Sequence, residues 1–300
     1  MRPSIFQSMN PHTNRICLGS AQFGLDYGIA NAQGRMTDEN IKSVLRYAAA
    51  HGVKVLDTAA AYGTSEETIG RSLKHLNRSL DIISKLPSYA EGKTNPREII
   101  MRSLKRLDAK KIYGYLLHSF EDFSKPGIWQ ELNALKSEGV VGKIGFSLYH
   151  PEEAQALLAS DAAFDLIQVP YSVFDRRFAK YLPLFKKRGV EIYCRSIFLQ
   201  GLAFLDPENL PAAVAGARAQ VGALRKISVK EGITLSALCL NFALLNPSID
   251  KVIVGVDNPE HLKVNLSDLR FFARTKAVSD DLNAAIIEDE NILLTYRWKR

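Results

Sequence analysis

Val53-Lys54-Val55-Leu56-Asp57-Thr58-Ala59-Ala60-Ala61-Tyr62-Gly63 gives the frame in which the rest of the chain is read. A β-branched run ends on a carboxylate, and a loop of small residues then carries a single tyrosine past it. The alternation and the β-branched content suit a strand, and the small residues leave space above its end. The event repeats. Short apolar or β-branched runs at 15–19, 53–57, 81–85, 112–118, 141–147, 166–171, 191–196 and 251–256 are strand candidates, eight in all. Between them lie helical patterns at 39–50, 65–76, 97–107, 151–159 and 259–269, apolar at three-to-four spacing. Thr37, Ser65, Asn95 and Asn258 stand where N-caps are expected, two of them followed by Pro. Gly52, Gly139 and Gly189 stand where left-handed C-terminal caps are expected. Eight strand-then-helix units with no linker or low-complexity segment predict one domain over residues 1–300, an α/β fold of the (β/α)8 TIM barrel type. The alternative, a doubly wound open sheet, needs a G-x-G-x-x-G turn after its first strand. That turn is missing from the sequence, as are a P-loop and a G-x-S-x-G elbow.

Working outward from Asp57, a polar residue closes one strand candidate after another: Lys85, His118, Ser147 and Gln168, at intervals of 28, 33, 29 and 21. One βα unit spans roughly thirty residues, so this register places all five on one lip of the barrel, where barrel active sites sit. Each of them alone reads as a cap, a solvated strand end or a satisfied core histidine. Their shared register is what favours a site.

Composition narrows the class. Hydrophobic residues are 46% and charged residues 24% of 300, consistent with a large core. The charge-free run 232–249 contains Thr234, Ser236, Asn241, Asn246 and Pro247, too polar for a membrane span. Residues 1–10 lack the apolar core of a secretory signal, so the expectation is a cytoplasmic protein with no membrane partner. The formal charge of +7 comes from dispersed basic residues with acidic neighbours, which argues for a solvated surface and against a nucleic-acid partner. The 3 cysteines, Cys17, Cys194 and Cys239, have neither each other nor a histidine at ligand spacing, so no metal site is expected. The isolated histidines His12, His51, His75 and His150 read as surface or capping groups. Trp129 reads as packing, as does Trp298 unless the carboxyl tail folds over the barrel mouth.

The four residues Asp57, Tyr62, Lys85 and His118 suggest a proton-transfer unit. An ammonium at Lys85 would favour the phenolate of Tyr62 and lower its pKa. A carboxylate at Asp57 would keep Lys85 charged and in place. His118 would hydrogen-bond a substrate oxygen and turn it toward Tyr62.

Leu56-Asp57-Thr58-Ala59-Ala60-Ala61-Tyr62-Gly63, Ser84-Lys85 and Leu117-His118, in that order, resemble the aldo-keto reductase superfamily. The similarity runs from 18–24 to 253–265. The resemblance implies a nicotinamide-dependent oxidoreductase in which Tyr62 is general acid in reduction and base in oxidation, Lys85 and Asp57 tune it, and His118 positions the carbonyl. It further implies a carboxamide site at Ser147 and Gln168, and a cofactor-binding stretch comprising Arg195, Ser196, Gly255, Asp257, His261 and Asn265. Substrate contacts are expected at Phe23, Tyr27, Arg195 and Trp298.

Three positions depart from the family pattern. Leu148 stands where an Asn often follows the serine. Arg195 stands where an aromatic commonly meets the nicotinamide, and it reads equally as a contact to a substrate anion or as a rim ion pair. His261 stands where an Arg often meets a 2′-phosphate, with Asp257 nearby, which tilts the choice between NAD and NADP toward NAD. The Ala-Gln-Phe-Gly and Phe-Leu-Gln-Gly-Leu segments resemble a subgroup of bacterial sugar-modifying reductases and aldose dehydrogenases, implying a sugar, nucleotide-sugar or small carbonyl substrate and a monomer or small homo-oligomer. Two other readings stay open on the same fold, a non-catalytic nicotinamide-sensing subunit and a Schiff-base lysine at Lys85.

Overall fold

In the computed structural model, residues 10–74, 76, 80–89 and 95–298 are described. His75 and the amino-terminal residues 1–9 lie outside them. The eight expected strands form, in chain order: β1 Ile16–Gly19, β2 Val55–Asp57, β3 Asp81–Leu86, β4 Ile112–Leu117, β5 Val141–Ser147, β6 Leu166–Pro170, β7 Glu191–Arg195 and β8 Lys251–Gly255. All pair in parallel, each with its sequence neighbour, and β8 returns to β1, closing the barrel. The expected (β/α)8 architecture is therefore the observed one. A right-handed crossover after each strand packs its helix outside the sheet, which is why strand and helix alternate along the sequence.

The helices Asp38–Ala50, Pro96–Leu107, Pro151–Ala159 and Pro259–Asp268 follow the sequence patterns closely. The side chains of Thr37, Asn95 and Asn258 accept from the amides of Asn40, Arg97 and His261 as N-caps. Ser65 does not cap. The helix Ser65–Leu73 begins on it, with Thr64 at the N-cap. The Ser65 hydroxyl turns inward to donate to the Ser20 carbonyl at 3.0 Å, and it sits 3.0 Å from Thr58 Oγ1. The charge-free stretch builds the helix Leu235–Leu245, whose residues from Ala237 to Leu244 are all buried against the barrel. Among the described residues no single helix is long and apolar enough to cross a membrane.

Inside the barrel, Cys17, Val55, Ile83, Leu116, Leu166, Tyr193 and Ile253 form an apolar layer. Side chains alternate across a strand, so the next inward position lies two residues further on. Those positions are Gly19, Asp57, Lys85, His118, Gln168, Arg195 and Gly255, and on β5 the same step from Gly145 reaches Ser147. One turn of the barrel above its packed core, the strand ends thus present a ring of polar residues and glycines. This is the physical origin of the thirty-residue spacing.

Candidate active site

A cleft of about 850 Å³ opens at the carboxyl end of the barrel. Gly19, Asp57, Tyr62, His118, Ser147, Arg195 and Gly255 line its floor and walls, within the volume range of small-molecule sites.

Tyr62 is carried by a tightly packed loop. Its amide donates to Ala59 O at 3.0 Å and its carbonyl accepts from Ser65 N at 3.0 Å. The backbone of Gly24 lies against it so closely that a Cβ there would stand 1.9 Å from the Tyr62 carbonyl oxygen. Gly63, with φ +55°, returns the contact toward Gly24 O. The Ser20 hydroxyl donates to the Asp57 carbonyl at 2.8 Å, so β1 and β2 end locked together beneath the loop.

Asp57 and Lys85 form a buried pair. The ammonium donates to Asp57 Oδ1 at 2.7 Å, to Oδ2 at 2.8 Å and to the Thr58 carbonyl at 2.8 Å. Lys85 is only 1% exposed, and its three donors satisfy these three acceptors. No N–H is left for Tyr62; the ammonium instead lies 5.2 Å from the centre of the Tyr62 ring. This overturns the expectation that Lys85 lowers the Tyr62 pKa. Burial, the Asp57 carboxylate and Tyr149 hold the phenol well above its ordinary value, and the Arg195 guanidinium opposes them. The phenol is accordingly protonated at neutral pH. His118 meets the Tyr62 ring edge-on at 5.9 Å between centroids. Burial, then Lys85 and Arg195, push its imidazole down to about 3, so it is neutral.

Gln168 is fully buried and donates from Nε2 to Asp57 Oδ1 at 2.5 Å. Its Oε1 has no partner, and neither does the buried Ser147 Oγ. Ser147 lines the cleft and Gln168, which does not, is its partner across β5 and β6; a hydroxyl donor and an amide acceptor, both buried and both unmet, are the complement of a primary carboxamide. The residues present therefore fit a nicotinamide. Leu148 does not extend this set, because its side chain is fully buried in the hydrophobic core. Its carbonyl accepts from Arg195 Nη2 at 2.7 Å.

At the other end Gly255, Asp257, His261 and Asn265 line the cleft together with Gln22. Gln22 Nε2 donates to Asp257 Oδ1 at 3.2 Å, and His261 Nδ1 lies 3.6 Å from Asp257 Oδ2. Ser196, also lining, takes a left-handed conformation at φ +62°. The β7 loop then meets the β1 loop, where Ile29 N donates to Gln200 O at 2.9 Å.

Tyr27 and Trp298 line the cleft. Phe23 does not, since its side chain is 0% exposed and packs into the hydrophobic core, so the expected substrate contact there is withdrawn. The carboxyl tail does fold over the mouth, and the Trp298 indole N–H donates to Ile292 O at 3.1 Å. Sequence reasoning missed Tyr149, Phe198, Phe204 and Tyr296. For Tyr149 a signal existed, because it lies one further two-residue step beyond Ser147. It carries Arg195 on its ring face at 4.1 Å and Tyr296 edge-on at 5.6 Å. His150, expected only on the surface or in a cap, donates its amide to Glu153 and places Nε2 3.2 Å from the Tyr296 hydroxyl. Among the described residues no cluster could hold a metal ion.

The sequence pattern of the Aldo/keto reductase family matches residues 15–286. Bacillus subtilis carries a relative named "Uncharacterized oxidoreductase YqkF", 26% identical over 249 residues, which are 75% of this chain and 80% of that protein. The L-galactose dehydrogenase of Arabidopsis thaliana is 28% identical over 253 residues, 78% of this chain and 79% of its own. Among solved structures, the holo form of aldo-keto reductase AKR11C1 from Bacillus halodurans superposes with a TM-score of 0.71 at 21% identity, covering 92% of this chain and 95% of that one. The closed barrel and the match over nearly its whole length make this chain a member of the aldo/keto reductase family, an NAD(P)-dependent oxidoreductase acting on carbonyl and alcohol groups.

Proposed function

We propose that the chain interconverts the carbonyl and alcohol forms of a sugar or another small hydroxy-carbonyl compound, with Tyr62 moving the proton. The observation that carries this reading is the junction of Tyr62 with the Asp57–Lys85–Gln168 cluster at one level of the barrel mouth. Bound nicotinamide supplies or accepts the hydride. In reduction the Tyr62 hydroxyl gives its proton to the developing alkoxide, and in oxidation it takes that proton back. Neutral His118 holds the substrate oxygen in reach of Tyr62, while the Asp57–Lys85 pair fixes the floor beneath the phenol. Ser147 and Gln168 would hold the carboxamide. Ser196, Gly255, Asp257, His261 and Asn265 would line the path of the rest of the cofactor, with Asp257 favouring NAD over NADP. The name of the Arabidopsis relative, a sugar dehydrogenase, supports the sugar class. The test is Tyr62→Phe, which should lower kcat on the order of a hundredfold or more while NADH still binds. An undiminished kcat would refute the role of Tyr62.

A further inference from the structure

Arg195 is a half-buried guanidinium whose charge is unbalanced. It donates to the Leu148 carbonyl at 2.7 Å and reaches Ser196 Oγ at 3.4 Å, and its plane lies over the Tyr149 ring. Its Nε is buried and unpartnered. Among the described residues no carboxylate pairs with it. Asp57 is occupied by Lys85 and Gln168. Asp257 lies beyond Gly255 and is engaged by Gln22. Adding the charges at the reacting end, Asp57 and Lys85 cancel, neutral His118 contributes nothing, and Arg195 leaves one positive charge. Withdrawing a guanidinium from water without a counter-ion is costly, so a ligand that brings an anion gains what the protein itself does not provide.

We propose that Arg195 anchors an anionic group of the substrate, so that the cleft takes carbonyl compounds bearing a carboxylate or a phosphate. This rests on the oxidoreductase reading of the same site and narrows its substrate class. The position fits. Arg195 is the inward residue of β7, on the same ring as Gln168, Ser147 and Asp57, and its field reaches both Tyr62 and His118. An anion held there lies beside the proton-transfer residues, away from the Asp257 end. The planar fork matches both carboxylate and phosphate oxygens, and Tyr149 behind it and Leu148 O beside it fix its plane. Tyr27, Phe198 and Tyr296 leave a largely aromatic wall for the rest of the substrate.

The experiment compares two matched pairs of aldehydes with NADH: 4-carboxybenzaldehyde against 4-nitrobenzaldehyde, and glyceraldehyde 3-phosphate against glyceraldehyde. For the pair carrying the right anion, Arg195→Met should lower the ratio of kcat/KM, charged over neutral, by on the order of ten- to a hundredfold, and Arg195→Lys should lower it less. A urea unfolding midpoint equal to that of the wild type reports that the variant is folded. Which pair responds identifies carboxylate or phosphate. Titration of benzoate and of inorganic phosphate into the NADH complex, followed by cofactor fluorescence, provides a readout independent of turnover, and Arg195→Met should weaken whichever binds. Ratios unmoved within twofold in both pairs would overturn the proposal. So would Arg195→Met weakening NADH itself by the factor lost with every aldehyde, since the residue would then hold cofactor. If the wild type reduced none of the four aldehydes and bound neither anion, both this proposal and the oxidoreductase reading beneath it would fall. Turnover with an unmoved ratio would sink only this one.

Discussion

The side-chain amide of Gln168 donates to Asp57 Oδ1 at 2.5 Å, joining the residue that would hold the cofactor's carboxamide to the buried ion pair beneath Tyr62. Oδ1 of Asp57 thus accepts from two donors at once, and the other half of the Gln168 amide is the unmet acceptor Oε1. On the proposed roles, the residue holding the cofactor would be hydrogen-bonded to the ion pair that lies beneath Tyr62. Gln168→Leu removes both ends of it. Expected are a weakening of NADH binding by roughly tenfold, the value of a lost buried hydrogen bond, and a lower kcat from a floor left with one donor fewer. Fluorescence titration gives the first and steady-state kinetics the second. A change in kcat alone would mean that Gln168 does not touch the cofactor.

The Lys85 ammonium donates to both Asp57 oxygens and to the Thr58 carbonyl, and Gln168 is the other side chain that donates to the carboxylate. Lys85→Met leaves a carboxylate buried with only Gln168 for company, and such unpaired charges cost about 3–5 kcal/mol. The double variant Asp57→Leu with Lys85→Met removes the orphan charge and should recover much of that loss. Urea unfolding of both variants checks the order. A double variant as unstable as the sum of its two singles would show that the pair is not coupled.

At the far end of the cleft, Asp257 faces Gln22 and lies 3.6 Å from His261. A carboxylate there repels a 2′-phosphate, and neutralising it by Asp257→Ser should shift the NADP-to-NAD ratio of kcat/KM toward NADP by on the order of tenfold. The same ratio in wild type and variant would remove Asp257 from cofactor choice.

How far the sequence reveals this site depends on chemistry and on strand parity. Asp57, Lys85, His118 and Gln168 are legible because each follows an apolar run and is itself polar, so a change of residue type marks the strand end. Gly19 and Gly255 occupy the same ring, where a glycine gives no such signal: only the two-residue step from Cys17 locates Gly19, and Gly255 is reached through the family resemblance. Tyr149 is marked only by strand parity, one two-residue step beyond Ser147, since its residue type alone reads as core. Tyr296, Phe198 and Phe204 lie on loops without periodicity. The direction of the Tyr62 pKa was not legible either. Spacing places Lys85 near Tyr62 but does not reveal that a backbone carbonyl, that of Thr58, takes the ammonium's third proton. Ser65 looked like a cap because serine at a helix start usually is one; here the packing of Gly24 against the Tyr62 loop brings its hydroxyl to Ser20 instead. The barrel itself is legible from its eight strand signals and from the helical patterns that follow five of them.

His118 supplies a test by pH. Its imidazole is pushed down to about 3, chiefly by burial, against an ordinary value of 6.5. As pH falls below 6.5 the unfolded chain takes up a proton at this residue while the folded chain does not. Stability from this residue is therefore full above pH 6.5, declines as pH falls toward 3, and changes no further below that. Between pH 7 and pH 4.5 the wild type should lose about 2 kcal/mol more than His118→Leu, which lacks the titrating group. Urea midpoints at the two pH values measure the difference. The same neutrality predicts that kcat/KM for carbonyl reduction shows no inflection near pH 6.5, since His118 stays uncharged throughout the working range. An inflection there that His118→Leu abolishes would mean the imidazole titrates normally and acts as a charged donor.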